Sequence, residues 1–296
     1  MSSRTYSSSW RRAALPACVA VFAFALVAGR SDVAGQGRGA GAAGAPRTGR
    51  QLAPMDITGT WVAVVTEDWR WRMVTPPKGD VASIPVNAEG RKAAASWNPE
   101  ADAAGGNACK AFGVGGIMRQ PGRLRISWQD DQTLKLETDA GTQTRILKFA
   151  SAPAAAAGAA NIVAAPAPAP PAGPRSWQGD SVAVWESRRP AGGGAGGGGG
   201  GGRGGAAAPD TGRYLKVTTT NMLAGYLRKN GIPYSENAVL TEYYDYFQDP
   251  DGTTILNVTI AVDDPLYLNQ RYVVIANFQK EANASKWDPS PCSARW

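Results

Sequence analysis

From Thr58 onward, apolar and polar positions alternate mostly with a period of two, the signature of half-buried β-strands. In Thr58–Thr66 both faces are apolar, with Trp61, Ala63 and Val65 on one and Val62 and Val64 on the other. Such a strand is central or covered on both sides. Glu67-Asp68 interrupts the run. Residues 69–75 then place Trp69, Trp71 and Met73 on one face and Arg70, Arg72 and Val74 on the other, until Pro76-Pro77 removes the ladder donors. The pattern predicts a founding hairpin over 58–75. Residues 87–97 predict one short helix, with Asn87 as N-cap, an alanine run inside and Asn98-Pro99 as stop. Residues 99–117 read as a Gly/Ala-rich connection with room for one more helical turn. Strands follow at 123–128, 133–139 and 142–149, joined by turns short enough for hairpins. Further strands are expected at 181–187, 213–221, 238–247, 254–262 and 271–280. The fold expected is mainly β: an antiparallel β-barrel or strongly curved sheet.

Two tracts break this rhythm. Residues 151–176 are Ala/Pro-rich and residues 190–209 are almost pure Gly and Ala. Interdomain linkers have such compositions. Each tract, however, is flanked by single strands that need partners, and loop-closure entropy grows slowly with length. Both are therefore read as long disordered inserts within a single β-rich domain, residues 54–296. Before it, Arg4, Arg11 and Arg12 precede the apolar run Ala13–Gly29 and small residues, the layout of a secretory signal peptide over 1–35. The apolar run is shorter than the ~20 residues of a membrane-spanning helix, which favours cleavage over an uncleaved anchor. Residues 36–53 are expected to be a disordered tether, and the protein to be exported to the periplasm or the extracellular space.

Composition sharpens what remains. The net charge of +7 comes almost entirely from the first fifty residues, which hold seven Arg against one acid, Asp32. The rest of the chain is near neutral, so a basic nucleic-acid footprint is absent from the domain and nucleic acid is not an expected partner. There is no His among the 296 residues. That excludes a Ser-His-Asp triad, an imidazole base and a His-ligated metal centre. No cofactor or metal is expected. Loss of the leader removes Cys18 and leaves Cys109 and Cys292, for which an oxidising compartment suggests a disulfide pinning the C-terminal tail to the helical connection.

Two clusters could carry function. In the first, Glu67, Asp68, Arg70 and Arg72 would bind a polar or anionic group, with Trp61, Trp69 and Trp71 stacking on an apolar, aromatic or sugar ring. The same alternation also fits a Trp core face opposite a solvated salt-bridge ladder. Whichever face of 69–75 lines a cavity sets the ligand class. In the second, on strand 238–247, Leu240, Glu242, Tyr244 and Tyr246 share a face. Glu242 is the candidate general acid, and with Glu67 or Asp68 it would make the carboxylate pair of a His-free carbohydrate-active hydrolase, or act in a lyase or isomerase. A half-buried Glu paired to an Arg is the simpler reading of the same pattern. The leading expectation is a non-catalytic protein that binds a small ligand through Trp61, Trp69, Arg70, Trp71, Arg72 and Tyr244. A further alternative is an accessory subunit docking to an envelope protein.

Gly59-Thr60-Trp61 on the first strand resembles the G-x-W of lipocalin-type barrels. That likeness implies an Arg near the last strand packed over the Trp, a part open to Arg271. Over most of the exported chain, EDWRWRMVTPPKGD, PVNAEGRKAAASWNP, WQGDSVAVWE, RKNGIPYSENAVLTEY and DDPLY resemble an uncharacterised family of secreted bacterial β-rich proteins. This implies export and a β-rich fold, and no activity.

Overall fold

The structure is a computed structural model, and it describes residues 47–149, 173–187 and 213–295. The expected signal peptide, most of the tether, most of the 151–176 insert and all of the 190–209 insert lie outside these residues. The strands are β1 (Gly59–Ala63), β2 (Arg123–Asp130), β3 (Thr133–Thr138), β4 (Ala140–Gly141), β5 (Gln143–Phe149), β6 (Asp180–Ser187), β7 (Arg213–Thr220), β8 (Gly225–Arg228), β9 (Ile232–Tyr234), β10 (Val239–Gln248), β11 (Thr254–Asp263), β12 (Tyr272–Glu281) and β13 (Ser290–Pro291). Helices are short: α1 (Trp69–Arg72), α2 (Ala88–Ser96), α3 (Pro99–Ala104) and α4 (Val114–Ile117), with a 3-10 turn at Lys110–Phe112.

Nine strands close a barrel in the order β1-β12-β11-β10-β7-β6-β5-β3-β2. Closure falls on β1, whose Trp61 lies opposite Lys280 of β12 on one side and Leu124 of β2 on the other. Neighbours are antiparallel except β5 and β6, which pair in parallel through Leu147–Phe149 and Ser181–Ala183. A parallel neighbour needs a crossover of a dozen or more residues, and the Ala/Pro-rich insert provides that length. The strands flanking each insert are thus adjacent in one sheet, as expected of swollen loops.

The interior follows from alternation. Leu134 and Leu136 of β3, Leu256, Val258 and Ile260 of β11, and Ala276 and Phe278 of β12 are buried, each alternating with a more exposed residue. A fully closed sheet leaves no edge to protect. Helix α2 forms as the sequence implies: the Asn87 side chain accepts from the Gly90 N–H. A small hairpin, β8–β9, packs with α2 and α4, and their apolar side chains Val114, Ile117, Leu227 and Ile232 belong to the same core as the barrel. The hairpin turns at Gly231, whose φ of +80° favours glycine and where a Cβ would collide with the Trp97 ring. Cys109 and Cys292 form the expected disulfide. It ties the C-terminal tail, where β13 pairs with β4, to the segment before α4. No helix among the described residues is long and apolar enough to cross a membrane.

Two expectations need correction. Residues 69–75 are not a strand: Trp69–Arg72 form one helical turn entered through Asp68 at φ 51°. Both edges of β1 are taken by β2 and β12, so the following segment has no ladder to join. The end of the expected tether is ordered. Gly49 N–H donates to Gln132 Oε1 (2.7 Å), and Trp185 Nε1 donates to the Gly49 carbonyl (2.8 Å).

Candidate functional site

Among the described residues, a polar cluster lies in the barrel interior. Arg145 of β5 lies opposite inward Leu136, and Glu242 of β10 lies opposite inward Ile260, so both point into the barrel. Arg145 Nη1 and Nη2 donate to the two Glu242 oxygens at 2.9 and 2.5 Å, with both side chains completely buried. The Tyr244 hydroxyl donates to Glu242 Oε1 at 3.2 Å and accepts from Arg145 Nη1 at 3.4 Å. Thr219 accepts from Arg145 Nη2 at 3.5 Å and bonds Ser181 at 2.8 Å. Burial opposes the Arg145 charge, but the Glu242 carboxylate and Tyr244 more than offset it, and its pKa rises above the usual arginine range. Burial, then the Glu242 charge, pushes the Tyr244 phenol well above its ordinary value. This is a sealed bidentate pair.

The carboxylates of the hydrolase alternative are not brought together. Glu242 is inside the barrel. Glu67 is exposed and accepts from Asn277, which lies on the outer face of β12, while Asp68 pairs with Arg119 at 2.6 Å. The expected ligand set is also dispersed. Trp61 is buried in the barrel, with its indole N–H donating to the Ile57 carbonyl at 3.0 Å. The cation over its ring is Lys280, at 5.2 Å, and not Arg271, which is engaged by Asp263 at 2.8 Å. Trp69 is 56% exposed. Tyr244 belongs to the interior cluster. Only Trp71, Arg72 and, over the Trp71 ring, Arg70 are grouped.

That group borders a concavity of about 310 Å³, open mouth included. Trp71 of α1 forms one side. Arg119 and Gln120, just after α4, form a second, and Leu227, Arg228 and Lys229 a third, with Tyr272 from the start of β12. The walls meet closely because α4 is glycine-rich: a Cβ on Gly116 would lie 2.6 Å from the Tyr226 carbonyl oxygen. The guanidinium groups are anchored. Arg119 Nη1 donates to the Ile275 carbonyl (2.8 Å), and Arg228 donates to the Ala82 carbonyl (2.5 Å). Arg72, buried behind the pocket, donates to the Val64 and Arg119 carbonyls at 2.6 and 3.2 Å. The Arg228 guanidinium carbon also sits over the Trp71 ring, 5.1 Å from its centroid.

Cations dominate the lining, while Glu67, Asp68 and Asp80 outside it offset them in part. None of the described residues lining the pocket is acidic. Burial, then the charge of Arg119, pushes the Arg72 guanidinium down to about 10. Burial also lowers Arg228, and burial with the charge of Arg72 lowers Lys229. Arg72 Nη2 and Trp71 Nε1 are buried without a hydrogen-bond partner, as is the nearby Thr75 hydroxyl. Unsatisfied buried donors are uncommon and need an explanation.

Sequence reasoning found Trp71 and Arg72 but missed Arg119, Arg228, Lys229 and Tyr272. Residues 228–231 form a tight turn of polar side chains, and nothing in their spacing shows that the turn faces α1. No protein-family model, no curated protein and no solved structure matches this chain.

Proposed function

We propose that this chain is an exported, non-catalytic binding protein for a small ligand, and that the ligand docks at the Trp71 pocket and not inside the barrel. The observation that carries this reading is the contrast between the two polar clusters. Inside the barrel, Arg145 and Glu242 neutralise each other as a bidentate pair and are sealed from solvent, although Arg145 Nε has no hydrogen-bond partner. At the pocket, an aromatic wall and several cations meet at an open concavity with no lining carboxylate. The room inside its mouth is about 20 Å³, enough for one water-sized group, which suits a single polar group of a ligand whose body stays outside. Export is supported by the Cys109–Cys292 disulfide, a bond that persists in oxidising compartments.

The test is a thermal-shift screen of small aromatic, sugar and lipid-like compounds on the wild-type protein and on Trp71→Ala. Stabilisation by at least one class, abolished in the variant, is expected. Stabilisation that survives in the variant, or none from any class, contradicts the reading.

A second reading, an accessory subunit docking to an envelope partner, is favoured by exposed apolar side chains. Trp69, Met73 and Val74 around α1, and Val273 and Ile275 on β12, are each 45% or more exposed. Arg119 links the two segments by bonding both Asp68 and the Ile275 carbonyl. Pull-down with and without Trp69→Ser separates this reading from the first, because Trp69 is not part of the pocket.

A further inference from the structure

We infer that the barrel carries a peptide-recognition notch at the end where the β2–β3 turn lies, and that its occupant is this chain's own N-terminal turn, residues 47–53. Phe149, Trp185 and Gln132 build the notch. It shares no residue with the Trp71 pocket, so the inference does not depend on the proposed ligand site.

The notch belongs to the barrel. Trp128 of β2, Phe149 of β5 and Trp185 of β6 form a stack, with successive ring centroids 5.4 and 5.6 Å apart. The β2–β3 turn lies beside them: the Phe149 N–H donates to the Gln132 carbonyl at 2.8 Å, and the Gln132 N–H donates to Asp130 Oδ1 at 2.7 Å. The rings and the turn backbone are thus held by contacts that do not involve residues 47–53. What they offer is an aromatic floor with an indole donor on one side and an amide acceptor on the other. Trp185 Nε1 donates to the Gly49 carbonyl at 2.8 Å, and Gln132 Oε1 accepts from the Gly49 N–H at 2.7 Å. Both backbone groups of one buried residue are therefore satisfied by the notch. The Arg50 N–H adds a third bond, to the Asp131 carbonyl at 3.0 Å.

The occupant is a self-capped turn. Thr48 Oγ1 accepts from the Gln51 N–H at 3.2 Å, and Gln51 Oε1 accepts from the Thr48 N–H at 3.0 Å, the reciprocal pattern of a capping box. The Leu52 N–H closes the turn on the Thr48 carbonyl at 3.0 Å. These local bonds shape the backbone before it docks, which lowers the ordering cost of binding. Gly49 is the residue pressed into the notch: it is buried, and a Cβ there would overlap the Phe149 ring. Selection is by the missing side chain and not by charge, because the Arg50–Asp131 pair, 3.9 Å apart, is exposed on both sides. One consequence concerns export. Removal of the expected leader leaves the notch filled only if the chain is cut ahead of Thr48.

The test uses the exported chain carrying Gly49→Val, a synthetic peptide of residues 47–53, and the indole N–H resonance of Trp185. In the variant the turn no longer seats, so this resonance is expected to move while that of buried Trp61 stays in place. The peptide is expected to restore it saturably, one peptide per chain. The same peptide carrying Gly49→Val is expected to bind at least about tenfold more weakly, the scale of one lost hydrogen bond. The wild-type chain, its notch filled, is expected to leave the peptide unbound. Thermal melts report whether Gly49→Val folds. If it does not, Gln132→Ala carries the test: it removes the side-chain acceptor, and the Gly49 amide is expected to exchange its hydrogen at least about tenfold faster while the amides of β10 and β11 are unchanged. A Trp185 resonance unmoved by Gly49→Val, a folded variant that ignores the peptide, equal binding of the two peptides, or unchanged Gly49 exchange in Gln132→Ala overturns the inference. Peptide binding to the wild type as tight as to the variant overturns it too, by placing the peptide elsewhere. A wild-type Trp185 resonance that changes on dilution overturns the assignment to the same chain and gives the notch to the turn of a second copy.

Discussion

Replacing Arg145 by Met asks whether the polar cluster inside the barrel is structural. The substitution keeps a long side chain between Leu136 and Leu147 but removes the guanidinium that holds Glu242 with two hydrogen bonds, at 2.9 and 2.5 Å. Glu242 is left fully buried, with the Tyr244 hydroxyl at 3.2 Å as its remaining described donor. Removing one member of a sealed ion pair costs about 3–5 kcal/mol, because the other charge stays without compensation. For a domain of this size each kcal/mol lowers the melting temperature by about 2–4 °C, so the expected fall is roughly 6–20 °C. The same logic predicts recovery. In Arg145→Met/Glu242→Met both charges are gone, and burying apolar groups of similar volume instead of an ion pair is commonly neutral or stabilising. Denaturant unfolding of the wild type, both single variants and the double variant closes the cycle. A loss below about 1 kcal/mol for Arg145→Met, or a double variant no better than the sum of the singles, would refute the reasoning.

Two other expectations follow from the fold. Cys109→Ser/Cys292→Ser is expected to lose about 2–4 kcal/mol, read by urea unfolding, since the bridge closes a long loop; reducing agent is then expected to have no further effect on the variant. Burial raises the phenols of Tyr226, Tyr234, Tyr244 and Tyr272 above 10.0. They bind their protons more tightly folded than unfolded, so stability is unaffected by them below pH ~10 and declines as pH rises beyond it. An ultraviolet phenolate titration should show the exposed tyrosines ionising first and these four only with unfolding; a single smooth transition of all the tyrosines in the folded protein would contradict this.

Strands were legible wherever alternation ran long. The expected 142–149, 238–247, 254–262 and 271–280 differ from β5, β10, β11 and β12 by at most a residue at either end. In Trp69–Thr75 the alternation was equally clean but misleading. Seven residues of period two do not specify a strand when β1 has no free edge, and which strands occupy those edges is decided far downstream. The interior ion pair was half legible. Glu242 shares its face with Leu240 and Tyr244, so an inward carboxylate could be read, together with the need for an Arg. Arg145 lies on the inward parity of Leu147 and Phe149, the signal that identifies the partner, but only barrel closure shows that the two strands face each other. The pocket was least legible. Trp71 and Arg72 were singled out for their density of aromatic and charge, whereas Arg119, Arg228 and Lys229 come from a loop and a turn whose convergence is a matter of tertiary packing. The parallel β5–β6 pairing was illegible for a related reason: a connection this long permits either direction, and the Ala/Pro-rich tract carries no directional signal.

The central claim, that a ligand binds at the Trp71 pocket and not within the barrel, is tested most directly by the indole N–H resonances of the protein labelled at tryptophan nitrogen. Trp71 and Trp61 report the two alternatives separately: one borders the pocket, and the other is buried inside the barrel with its N–H held by the Ile57 carbonyl. Titration with a compound that stabilises the protein in the thermal-shift screen is expected to shift the Trp71 resonance saturably while that of Trp61 stays in place. A saturable shift of Trp61 with Trp71 unmoved would place the ligand in the barrel and contradict the account.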